Sequence, residues 1–289
     1  MGIVDRCRAS RKPRKVPHMI DVMALDGAKD LLMKMTPAER GLFLLFGYAS
    51  NQVNVLWKLV IVATNETPEN PIEQRVSGAQ TQIVVRLLIG VLFEAWRLVQ
   101  GRLLGSELGK EFVPQLNGEA TAALGRLKKA FGGSNMISAV RNDFSFHHPK
   151  PDDMEAAFQA AVKSGTMEDQ DWGIYFTRTL LNTFFFVSDY VFAHGIALAV
   201  KDQDVNEAHK KLLMSLAPVA NDFSEVAFDF ARILFVKYLG PELGMTIVAK
   251  IKEPPNIDDL RLPFYTDVSP GLLRTYGESN SDSSPSGQL

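Results

Sequence analysis

The stretch QIVVRLLIGVLFEAWRLV, Gln82 to Val99, is apolar around most of each helical turn. A helix with one apolar stripe can lie on a surface, but one apolar nearly all round must be enclosed by other elements or by a second subunit. The sequence extends this helix from about Ile72 to Leu104 and sets another long one before it. In TPAER, Thr36 supplies an N-cap, Pro37 the first helical position and Glu39 the far side of a capping box, so a helix should run from Pro37 to about Ala63. The polar, proline-containing TNETPENP then separates the two. Two long helices joined by so short a break pack antiparallel. The expected fold class is therefore all-α, a helical bundle with long antiparallel helices. Polar residues inside the apolar runs exclude a membrane reading: Asn51, Gln52, Asn54 and Lys58 interrupt one, and Asn182, Asp189 and His194 the other.

The remaining elements follow from caps and breakers. Asp21 to Met35 reads as a short amphipathic helix. GEATAALGRLKKAFGG gives a helix ended by Gly132 and Gly133, after which Ser134 or Asn135 caps a helix that Pro149 closes. Asp152, with Glu155 three residues on, restarts a helix to about Ser164. The aromatic, β-branched run WGIYFTRTLLNTFFFV predicts a small β-hairpin insertion, and Ser188 then caps the next helix. A helix from Val205 should end at Pro218. A second, from about Asp222 to Tyr238, carries one stripe of Phe223, Val226, Phe230, Ile233 and Leu234 and another of Phe228 and Phe235. TIVAKI reads as a strand. Residues 21–275 then form one domain, and residues 276–289 carry nothing to pack and should be disordered.

Charge is unevenly distributed. In residues 1–18, Arg6, Arg8, Arg11, Lys12, Arg14 and Lys15 stand against Asp5, a net charge of +5, which leaves −7 on the remainder of a chain whose total is −2. A mildly acidic body thus wears a basic, flexible arm of about residues 1–20. The single cysteine, Cys7, excludes an intrachain disulfide and a cysteine metal cage, and with no secretory-type apolar stretch behind the arm it predicts a cytoplasmic protein.

The chemistry-bearing residues gather in SAVRNDFSFHHPKPDD, Ser138 to Asp153. Ile137, Val140 and Phe144 mark a core-facing stripe, with Arg141 at its edge and both His147 and His148 in the last turn before Pro149. Helical phase sets His148 nearly in line with Arg141 and His147 about 120° round. Three readings remain open on spacing alone: histidines that merely complement a helix C-terminus, a metal site using His147, His148, Asp152 and Asp153, or a catalytic pair. Glu94, alone in an apolar run, predicts a buried carboxylate that needs a cation; Arg141 and Arg97 are the two candidates.

Arg141-Asn142, four residues, then His147 resembles the Arg-polar-x4-His motif of the HEPN superfamily of helical-bundle proteins, and residues 37–200 resemble uncharacterised bacterial members of it. His148 departs from that pattern, as does the long C-terminal helical region. The resemblance implies a metal-independent endoribonuclease of toxin–antitoxin or phage-defence type, without metal or cofactor. Its catalytic residues would be Arg141 on the scissile phosphate, His147 as acid/base and Asn142 orienting, with Glu94, Ser145 and His148 supporting. It also implies a homodimer that brings two such sets together, an RNA substrate and an antitoxin partner. The alternative is a non-catalytic HEPN-like module that binds a nucleotide, RNA or a partner protein.

Overall fold

The computed structural model describes residues 19–65, 68–133, 136–141, 148–165, 168–177, 180–242 and 244–266. Helix α1 (Ala28–Lys34) precedes the two long helices α2 (Pro37–Thr64) and α3 (Pro71–Leu98), and a π-helical turn, Val99–Leu104, extends α3. The capping box forms as the sequence requires: the Thr36 hydroxyl accepts from the Glu39 amide at 3.3 Å, while the Thr36 amide donates to Glu39 at 2.9 Å. Asn70 caps α3 by accepting from the Ile72 amide at 2.8 Å, with Pro71 at the first helical position. The Thr81 hydroxyl donates to the Ala63 carbonyl at 3.0 Å, tying the start of α3 to the end of α2 in an antiparallel hairpin.

The rest of the bundle wraps this hairpin. Short helices α4 (Glu107–Phe112), α5 (Gly118–Phe131), α6 (Met136–Val140), α7 (Pro151–Ser164) and α8 (Phe186–Ala199) lead to the longest helix, α9 (Val205–Leu239). Helix α9 packs across α2 and α3, with Phe46 of α2 edge-on to Phe223 and Phe230. Helix α5 is anchored on α9 twice: Arg126 grips Asp222 through two nitrogens at 2.6 to 3.1 Å, and Asn117 donates its amide and side chain to buried Asp229 at 2.8 and 2.9 Å. Enclosure on most sides is why α3 needs so wide an apolar circumference: Leu88, Ile89 and Leu92 are fully buried, while Leu87 and Glu94 mark its open strip. No helix among the described residues is long and apolar enough to cross a membrane.

An all-α bundle with a small antiparallel β element is the architecture, and several local expectations change within it. The ladder pairs β1 (Met19–Leu25) with β2 (Met245–Lys252), strands from opposite ends of the chain, with a bulge after Val22. Among the described residues of 172–187 the pairing is one bridge, Tyr175 with Phe184, whose rings join Phe186 and Phe264 in a satellite aromatic core. The helix expected from Asp21 is strand up to Leu25, because Gly27 at φ 74° turns the chain before α1 starts. Met19 and Ile20, assigned to the arm, already belong to β1; residues 1–18 and the tail 267–289 lie outside the described residues.

Proline does not end the helix at Pro218: α9 runs through it. An interior proline costs roughly 3 kcal/mol, but each fully buried large apolar side chain returns roughly 1.5–3 kcal/mol. Leu212, Leu216, Val219 and Phe223 bracket Pro218 in the core, whereas Pro218 itself and Met214, one turn back, face solvent. Packing therefore outweighs the local penalty. Two caps also shift. Helix α7 starts with Pro151 at its first position, so Asp152 and Asp153 sit in the first turn, where they complement the helix dipole rather than cap. Helix α8 starts at Phe186, ahead of Ser188, and has no side-chain cap.

Candidate functional site

Helix α6 is short and lies on α3 and α8, held by Ile137 and Val140, which are 4% and 0% exposed. The core stripe read from the sequence is thus formed as far as it is described; Phe144 lies outside the described residues. Arg141 follows Val140, and its guanidinium points back to α3. Its Nη2 donates to Glu94 Oε1 at 3.0 Å, and its Cζ stands 4.5 Å from the ring centroid of Phe93. Phe93 is in turn edge-on to Phe131, which stacks on Trp96 at 5.4 Å. The cation therefore rests on an aromatic seat with a carboxylate at its side, and its side chain is only 17% exposed.

Glu94 is not buried as expected: its side chain is 45% exposed, because helical phase turns it away from the Leu92, Ala95 and Trp96 face. It also pairs with both cations rather than choosing one. Arg97 Nη1 donates to Glu94 Oε2 at 3.4 Å while Arg141 holds Oε1. Two guanidinium groups thus meet one carboxylate at the surface of the bundle, beside the point where the chain enters the Arg-Asn-x4-His stretch.

The other motif residues are placed differently. Asn142, Ser145 and His147 lie outside the described residues. His148 is exposed and in no helix, so the helical alignment of His148 with Arg141 does not exist; the residue before a proline is pushed out of the helical region. Among the described residues no three His, Cys, Asp or Glu side chains gather as metal ligands.

The scaffold behind the site contains a pair that sequence reading recorded only as a polar break. Asp189 of α8 accepts from Arg86 of α3 at 2.8 Å, with both side chains less than 20% exposed, and Arg86 also lies 4.8 Å over the Phe192 ring. Burial pushes the Asp189 carboxyl above the usual range, and Arg86 opposes that shift. The pair ties α8 to α3, the two helices on which α6 rests. Phe93, the seat of Arg141, was also missed. Its position immediately before Glu94 was the available signal, since an arginine bound to a residue on an aromatic-rich helix commonly stacks on a neighbouring ring.

No protein-family model, curated protein or solved structure matches the chain.

Proposed function

We propose that the protein is an HEPN-like, metal-independent endoribonuclease of toxin–antitoxin or phage-defence type, working as a homodimer. The observation that supports this reading best is the convergence of Arg141 and Arg97 on Glu94. It sets two guanidinium groups together, one of them on an aromatic seat, at the start of the Arg-Asn-x4-His stretch. A guanidinium fork suits a phosphodiester, and one pre-oriented by an aromatic ring and a carboxylate loses little freedom on binding it.

In the reaction, His147 takes the proton of the ribose 2′-hydroxyl, and the 2′-oxygen attacks phosphorus as the bond to the 5′-oxygen breaks. Arg141 stabilises the charge on the non-bridging oxygens, Asn142 orients the phosphate, and a protonated histidine of the dimer returns a proton to the leaving 5′-oxygen. The products carry 2′,3′-cyclic phosphate and 5′-hydroxyl ends, and no metal enters the balance. Regulation by an antitoxin that covers Arg141 belongs to the same reading.

One observation favours the non-catalytic alternative: a phosphate must share Arg141 with a carboxylate only 3.0 Å away. The test is cleavage of single-stranded RNA in EDTA. His147→Ala should abolish it and His148→Ala should leave most of it. Loss of cleavage in EDTA, or the reverse pattern of the two variants, would overturn the mechanism. RNA or nucleotide binding that is sensitive to Arg141→Ala, with no cleavage by the wild type, would establish the non-catalytic module.

A further inference from the structure

A groove of about 630 Å³ runs between α2 and α9, lined by Phe43, Phe46, Gly47, Ala227, Ala231 and Phe235. On its rim Phe228 stands out from α9 at 74% exposure, and Leu44 and Tyr48 of α2 continue the apolar surface at 54% and 64%. Phe228 is a knob beside a hole that is apolar at Phe43, Phe46 and Phe235 and polar at Asn54, Asn221 and Glu225, and a knob and a hole on one face are what an isologous contact between two copies requires.

Charge selects the geometry. On α9, Glu225 and Arg232 lie on one flank of Phe228, about 60° and about 40° round the helix, the first three residues before it and the second four after. The opposite flank carries the small side chains Ser224 and Ala231, which line the groove together with Phe235 and Glu225. A two-fold that sets a second α9 antiparallel, facing the first at Phe228, brings like flanks together. Glu225 of each copy then meets Arg232 of the other, giving two opposite-charge pairs and no like-charge pair. The Arg232 guanidinium is half-exposed and oriented by its Nε bond to Asp229. On the small-residue flank, Phe228 of each copy enters the groove of the other.

We infer that the α2–α9 face is a two-fold interface with a second copy of this chain, with Phe228 as its anchor and the reciprocal Glu225–Arg232 pairs fixing its register. This surface is argued from α2 and α9 alone and does not rest on the ribonuclease reading.

Sedimentation equilibrium of the full chain at micromolar concentration should give twice the 32.0 kDa chain mass. Phe228→Glu should give a monomer with unchanged helical circular dichroism, since the side chain makes little of the core. Glu225→Lys should weaken association about a hundredfold, since it removes both interfacial charge pairs and each is worth about tenfold. Leu87→Glu, an exposed apolar position on α3, should leave the dimer intact. A monomeric wild type overturns the inference, and so does a Phe228→Glu variant that remains dimeric. RNA cleavage measured on the same variants separates this interface from the catalytic proposal.

Discussion

Glu39 is 1% exposed, yet it stays ionised because the bundle surrounds it with donors. Burial alone would raise its pKa, but bonds from Lys237 at 2.7 Å, Tyr238 at 2.6 Å and Thr36 at 2.7 and 2.9 Å outweigh burial and hold it at about 2, against an ordinary 4.5. A carboxyl with a depressed folded pKa contributes stability that is complete above 4.5 and lost as the pH falls through 2, here up to about 3 kcal/mol. His209 behaves in the same sense at higher pH: burial lowers it from 6.5 to about 4, so the unfolded chain takes up a proton first and stability falls between those values. Urea unfolding from pH 8 to 2.5 should show both declines, and Glu39→Gln should remove the lower one. A lower decline that persists in Glu39→Gln would refute the assignment. At the candidate site, the sequence exposed the cation and its carboxylate because a lone Glu94 in an apolar run demands a partner. It did not expose Phe93, since an aromatic on such a helix looks like any core residue. A double-mutant cycle should find about 1 kcal/mol of coupling between Glu94 and Arg141, and less between Glu94 and the more exposed Arg97. Equal couplings would mean that the aromatic seat adds nothing.

Among the elements, the long helices set by local chemistry were legible, although the caps expected at Asp152 and Ser188 are not used, and the contacts made across the chain were not legible. Helices α2, α3 and α5 start at capping side chains that accept from amides two or three residues on, a pattern confined to a few residues of sequence. The pairing of β1 with β2 is different, because TIVAKI carries strand propensity but no mark of a partner near residue 20. Pro218 was misread for a related reason: the propensity penalty is local, whereas the burial that overrides it comes from α2, α3 and α5. The β1–β2 ribbon has consequences of its own. Both strands are largely exposed, with Ile20, Val22, Ile247, Val248 and Ile251 all more than a third accessible, and a lone two-stranded ribbon is marginal in water. Its amides should therefore exchange by local opening, at least about 100-fold faster than those of Val226 and Phe230 in α9, a gap of about 3 kcal/mol in opening free energy. Equal protection would show that the ribbon opens only when the whole bundle unfolds.

At the scale of the whole chain the sequence charge divides into two stretches of opposite sign, +5 on residues 1–18 and −7 on the rest. Phosphate attraction supplies most of the affinity of a protein for RNA, and an acidic body works against it. Arg141 and Arg97 are two cations that share the carboxylate of Glu94, too few to hold a polyanion alone at physiological salt. If RNA is the substrate, the six cations of the arm must provide most of the non-specific affinity, leaving Arg141 to position one phosphate. The two roles separate in a salt titration. Each phosphate neutralised on a single strand contributes about 0.7 to the slope of log K against log salt, so removal of residues 1–18 should reduce that slope by up to about 4, whereas Arg141→Ala should reduce it by about 0.7. Removing the arm should also weaken binding while cleavage of bound RNA proceeds at an unchanged rate, because none of the proposed catalytic residues lies in it. A slope unaltered by removal of the arm would mean that the arm meets no RNA, and the acidic body would then argue for a nucleotide or a protein, rather than an RNA strand, at Arg141.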